Sequence, residues 1–108
     1  MSDTGLQPSH LFYVTDKPTG LHFVVNTGAE ISVTPPSHAD RKNSFTLQAV
    51  NHTLIATYGH RSLTLNLGLH RTFRWIFIIP NVKNPILGAD FLRNYSLIMD
   101  IKHKRFFG

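Results

Sequence analysis

The sequence predicts a small all-β domain, a sandwich or barrel, and three observations carry that prediction. Leu63, Leu65, Leu67 and Leu69 alternate with Ser62, Thr64, Asn66 and Gly68, giving a leucine face and a polar face at the two-residue period of a strand. Phe73, Trp75, Phe77 and Ile79 repeat the pattern on the next run, with Arg74 the only charge on the opposite face, until Pro80 intervenes. Short runs of this kind recur between clusters of turn-forming residues, a spacing that suits antiparallel sheets rather than alternating strands and helices. With 108 residues, 42% hydrophobic and 16% charged, the chain has the material for one compact domain with a modest core. A chain of that length buries only roughly 65% of the surface its unfolded form exposes, so a partner subunit would add usefully to stability.

Taken in order, residues 1–10 are polar, contain Gly5 and Pro8, and read as a flexible lead-in to a domain spanning 11–108. Leu11 to Thr15 is the first strand. Asp16-Lys17-Pro18-Thr19-Gly20 supplies turn chemistry that leads back into Leu21 to Val25 as a hairpin. Phe23, Val24 and Val25 form an uncharged β-branched and aromatic run, suited to a strand buried on both faces. The turn that follows is Asn26-Thr27-Gly28, where glycine tolerates unusual dihedrals and the two polar side chains can bond to nearby backbone. Ile31 and Val33 then alternate with Ser32 and Thr34 as a second short strand, ended by Pro35 and Pro36, which remove two ladder donors.

Ser37 to Asn43 is polar, a loop or a single helical turn. Phe45 to Val50 and Thr53 to Tyr58 are β-rich runs separated by Asn51 and His52, the two-residue connection of a tight hairpin. After the two strands at 62–79, Pro85-Ile86-Leu87-Gly88-Ala89-Asp90-Phe91-Leu92 places two apolar residues before a glycine and continues as a short amphipathic segment to about Tyr95. Ser96 to Ile101 and Lys104 to Phe107 supply two final strands, joined by basic Lys102-His103-Lys104-Arg105.

Val24-Val25-Asn26-Thr27-Gly28-Ala29-Glu30-Ile31-Ser32 resembles the active-site loop of retropepsins, the aspartic proteases of retroviruses and gypsy-type LTR retrotransposons, in which two apolar residues precede Asp-Thr-Gly-Ala. Ile86-Leu87-Gly88 and the segment at 89–95 resemble the Ile-Leu-Gly and single C-terminal helix of the same family. Asp3-Thr4-Gly5 also spells the triplet, but no apolar strand precedes it and none directly follows, so it is a decoy. The resemblance implies a closed barrel or sandwich with one short helix and with the 45–58 hairpin as a movable flap. It also implies a homodimer whose chain ends form an intersubunit sheet. It implies a catalytic position at residue 26, loops cross-linked by Thr27, and room for substrate backbone at Gly28. Ala29, Glu30, Val50, Asn51, His52 and Ile86 would then contact peptide. Many relatives have glycine near the flap tip where this chain has His52.

One departure decides the chemistry. Asn26 stands where the family carries its aspartate. Peptide hydrolysis there requires two carboxylates sharing one proton across a water, one accepting the water's proton while the other donates to the scissile carbonyl. A single chain with one motif supplies half of that site, so the enzyme implied is a two-fold dimer. A carboxamide has no proton equilibrium near neutral pH and cannot act as base, so this chain is expected to be inactive as it stands, whether by engineering or by natural change.

The blander alternatives are a non-catalytic, domesticated peptide-binding module and a basic nucleic-acid-binding β-barrel. The formal charge of +5 permits the latter, but the eleven basic residues are scattered and do not interleave with exposed aromatics, and Trp75 and Phe77 read as core rather than as a stacking platform. Zero cysteines exclude disulfides and thiolate metal sites, and the seven histidines show no ligand-like pairing, so neither metal nor cofactor is expected. Without an apolar run of about 18 residues or a basic-then-apolar leader, the expectation is a protein that is neither membrane-bound nor secreted, in cytoplasm or within a virus-like particle. The sequons Asn51-His52-Thr53 and Asn94-Tyr95-Ser96 then carry little meaning.

Overall fold

The computed structural model describes residues 12–100, 102, 103 and 105–107; the expected lead-in, 1–10, and Leu11 lie outside them. Strands β1 (Phe12–Thr15) and β2 (His22–Val25) form the first hairpin, with Phe12 opposite Val25 and Thr15 opposite His22. Its turn is built on Asp16, whose side chain is buried. Thr19 Oγ1 donates to one carboxylate oxygen at 2.6 Å, and the backbone N–H of Asn66 donates to the other at 2.7 Å. Gly20 closes the turn at φ 74°, a left-handed conformation that glycine adopts without penalty. A buried carboxylate therefore ties the first turn to a strand fifty residues on.

The hairpin β3 (Thr46–Val50) and β4 (Thr53–Thr57) turns through Asn51 and His52, as expected. Both sit at positive φ, 49° and 66°, as a type I′ turn requires. Its outer face is apolar, with Leu47 70% and Leu54 69% exposed, while Val50 and Ile55 face the body of the domain and are half-buried. Next come β5 (His60–Asn66) and β6 (Thr72–Ile78), paired from His60–Ile78 to Asn66–Thr72. The leucine alternation runs past the end of β5: Leu67 and Leu69 lie in a loop whose Gly68 N–H is held by Asn66 Oδ1 at 3.1 Å, yet both remain half-buried against the core. Strand β7 (Ile86–Leu87) leads into α1 (Ala89–Asn94), and β8 (Ile98–Asp100) pairs with β9 (Arg105–Phe107).

Strand β7 is the element that organises the rest. It pairs in parallel with β2, Val24 with Ile86 and Val25 with Leu87, and so adds a third strand to the first hairpin. The second strand expected after the turn is reduced to a single bridge residue. Val33 sits between Ile78 on one side and Ile86 on the other, with Val33 N–H to Ile86 O at 3.0 Å and Thr34 N–H to Ile78 O at 2.9 Å. Bonding on both sides within two residues leaves no length for a ladder, and it buries Ser32 and Thr34 as well as Ile31. Beneath these elements lies one core of Phe12, Phe23, Val25, Leu65, Phe73 and Phe77, continued by Leu87, Phe91, Leu92 and Phe106. Phe23 and Phe77 are fully buried with ring centres 5.6 Å apart.

The polar segment at 37–43 contains a single 3-10 turn, Asp40–Lys42. Asp40 accepts the Ser37 N–H at 2.8 Å and is paired with the Arg61 guanidinium. The Ser37 N–H first, and Arg61 next, hold its carboxyl below the ordinary value of 3.8. A carboxyl whose folded pKa is depressed stabilises the fold at pH above the unfolded value, and that contribution fades as pH falls through the lower, folded value. Arg61→Gln is therefore expected to melt at a lower temperature than the parent at neutral pH, with the difference shrinking as pH falls through the folded value; melting curves followed by circular dichroism that coincide at neutral pH would contradict it.

Candidate functional site

The turn Asn26-Thr27-Gly28 is exposed at the end of β2, a strand whose Phe23 and Val25 are anchored in the core. Its position is fixed from both ends. The Asn26 N–H donates to Leu87 O at 3.0 Å, and the Ala29 N–H donates back to Asn26 O at 3.0 Å. The Asn26 side chain is fixed too: Oδ1 accepts the Gly28 N–H at 2.9 Å, which leaves the amide NH2 as the free end. A Cβ at residue 28 would stand 3.2 Å from that oxygen, so a side chain there would crowd the residue 26 group.

Behind the turn, Gly88 packs against backbone. A Cβ on it would meet Ala29 O at 2.8 Å and the Ile31 carbonyl carbon and oxygen at 2.9 Å. The Ile86-Leu87-Gly88 segment thus crosses directly behind the turn, and only glycine fits there. The Ala89 N–H donates to Ala29 O at 2.7 Å, fastening the start of α1 to the loop.

A polar link that sequence reading missed completes the support. Ser32, fully buried, accepts the Gly88 N–H at Oγ (2.8 Å) and donates its hydroxyl to Asp90 Oδ1 at 2.7 Å. Asp90 Oδ2 accepts the Ser32 N–H and Trp75 Nε1–H, each at 3.1 Å, and Oδ1 also accepts the Phe91 N–H at 2.7 Å. One carboxylate thereby joins the loop after the turn, β6 and α1. Asp90→Ala strands several of these donors in a partly buried place and is expected to cost about 2–4 kcal/mol. Urea unfolding measures it, and a loss under about 1 kcal/mol would show that water replaces the carboxylate at little expense.

The predicted contact residues divide. Val50 and Asn51, at the hairpin tip, line an open chamber of about 810 Å³ together with Ile31 of the loop and Ile78 of β6. His52 is exposed at the tip, Glu30 is exposed beside the turn, and Ala29 is half-buried with its carbonyl already engaged by Ala89. Ile86 lies within the sheet between Val24 and Val33 and does not line that chamber. Trp75, read as core, is half-buried: one edge packs on Phe91 and Tyr95, and it also lines the chamber. Thr27 borders a second, smaller crevice of about 420 Å³ with Leu97, Ile98 and Met99.

Among solved structures, the EIAV protease in complex with the inhibitor HBY-793 superposes with a TM-score of 0.56 at 20% identity, over 88% of this chain and 95% of that one. No family model matches the sequence, and no curated protein matches it either. The retropepsin-like fold expected from two short motifs is therefore the fold of this chain, as a likeness of structure that outlasts likeness of sequence.

Proposed function

We propose that the chain is a retropepsin-type aspartic endopeptidase domain, inactive as it stands because Asn26 occupies the position of the catalytic aspartate. The observation that carries this reading is the state of residue 26. It is exposed at the tip of a buried strand, held through its own backbone by Leu87, with its side-chain oxygen fixed by the Gly28 N–H. A carboxylate in the same place would accept the same N–H and present its second oxygen to a water.

The second carboxylate comes from a second copy of the chain. Two subunits meeting about a two-fold axis bring their 26–28 turns together, and Thr27 with Leu97 and the 57% exposed Ile98 offers an apolar face for that meeting. Substrate is an extended peptide lying between the β3–β4 hairpin and the loop, bonded through its main chain as an added strand. Val50, Asn51 and His52 cover it, while Ala29 and Glu30 meet it from below. The natural substrates are sites in a retroelement polyprotein, processed in cytoplasm or within a virus-like particle.

Reversion of Asn26 to Asp is the test. Cleavage of an unstructured, apolar-containing peptide, blocked by a pepstatin-like transition-state mimic, supports the reading, whereas a folded and dimeric revertant without cleavage defeats it. A second reading has one observation in its favour: the side chain at 26 is a neutral donor and acceptor in an otherwise complete loop, as suits a groove that captures peptide without cutting it. A revertant that binds peptide and never turns it over would select that module.

A further inference from the structure

The chamber beside the loop has an unequal lining. Its floor is apolar, made by Ile31, Ile76 and Ile78, with Ile76 57% exposed, and its outer wall carries Arg74 of β6 and Arg93 of α1. Among the described residues, neither guanidinium is paired with a carboxylate. Asp90, the one acid on the wall, spends its two oxygens on Ser32, Trp75 and the Phe91 N–H. Arg74 donates Nε–H to Ser62 Oγ at 3.0 Å, which leaves its two terminal nitrogens for another partner, and the Tyr95 hydroxyl is bonded to the Arg74 carbonyl and steadies that strand.

We propose that this chamber selects an acidic side chain of the bound peptide, at a position away from the bond to be cut. Asn26, Thr27 and Gly28 do not line the chamber, but Ile31 of the same loop and Val50 of the hairpin tip do, so a peptide lying over the turn runs past its mouth. A glutamate there lays its methylene stem on the isoleucines and its carboxylate against Arg93 and Arg74, where a planar guanidinium binds both oxygens at once. An uncharged, purely apolar residue fills the floor but leaves both cations facing it. Both arginines are solvent-exposed, so the preference is modest, about fivefold for Glu over Gln.

The proposal rests on the peptide-groove reading above. Its test is the panning of a random decapeptide library on the immobilised chain, with sequencing of the enriched pool and the same selection on folded Arg93→Gln and Arg93→Glu proteins. The expected result is enrichment of Glu and Asp at one fixed distance from an apolar centre, lost in Arg93→Gln and turned toward Lys and Arg in Arg93→Glu. If Arg93→Glu fails to fold, the loss in Arg93→Gln and in Arg74→Gln carries the same information. An apolar consensus with no acidic position overturns the pocket while leaving the groove. Acid spread evenly over all ten positions also overturns the pocket, since that is attraction to the net charge of +5. No enrichment of any peptide overturns pocket and groove together.

Discussion

The Asn26→Asp protein is expected to cleave peptide about 10²–10⁴-fold or more faster than the Asn26 chain, with a bell-shaped pH profile centred in mildly acid solution. The sign of each limb follows from two carboxylates on one axis. At low pH both hold protons and neither can accept one from water. As pH rises, like-charge repulsion keeps one proton on the pair, which is the working state, and activity falls again when that proton is lost. The change is nearly isosteric, and the Gly28 N–H is already aimed at the inner oxygen from 2.9 Å, so little rearrangement precedes catalysis. The Asn26 dimer should be no weaker than the revertant's, because a pair of amides carries no such repulsion; sedimentation of both forms at neutral pH checks this. A revertant whose rate rises steadily with pH would point to a different base.

Gly88→Ala is expected to destabilise the domain by at least about 3 kcal/mol, a large part of the roughly 5–15 kcal/mol available to a domain of this kind. The new methyl would stand 2.8 Å from Ala29 O and 2.9 Å from the Ile31 carbonyl, all of them backbone atoms that cannot swing aside. Relief requires β7 to part from the loop, and with it the bonds from Asn26 N–H to Leu87 O and from Ala89 N–H to Ala29 O. The natural control is Gly20→Ala. There φ is 74° but nothing lies within 4 Å of the added carbon, so only the backbone penalty of about 1–2 kcal/mol remains. Urea titration of the three proteins separates the effects, and a Gly88→Ala protein as stable as Gly20→Ala would mean that the loop gives way easily.

Much of this fold was legible because its signals are local. The pairing of Val50 with Thr53 follows from a two-residue turn, and α1 at Ala89–Asn94 lies where a short amphipathic segment follows Gly88. What escaped was set by partners distant in sequence. Ser32 looked like the outward half of an alternating strand, yet it is buried because Asp90, 58 residues away, receives its hydroxyl. Leu67 and Leu69 kept the period of a strand after the ladder had ended at Asn66, because a loop can bury alternate side chains without pairing its backbone. The site was legible in one half only: the 26–28 turn is a contiguous motif, while the chamber is assembled from a loop, a hairpin tip, a strand and a helix that no spacing connects.

The short parallel union of Val24 and Val25 with Ile86 and Leu87 also fixes an order of events at birth. A ribosome that has made the domain only as far as β6 has made the triplet but not the strand that seats it, and closing so wide a loop is slow compared with forming the neighbouring hairpins. Until the last quarter of the chain emerges, the nascent domain holds an unsupported turn. The 26–28 turn therefore gains its seat only once residues 86–88 have been made, a delay written into strand order.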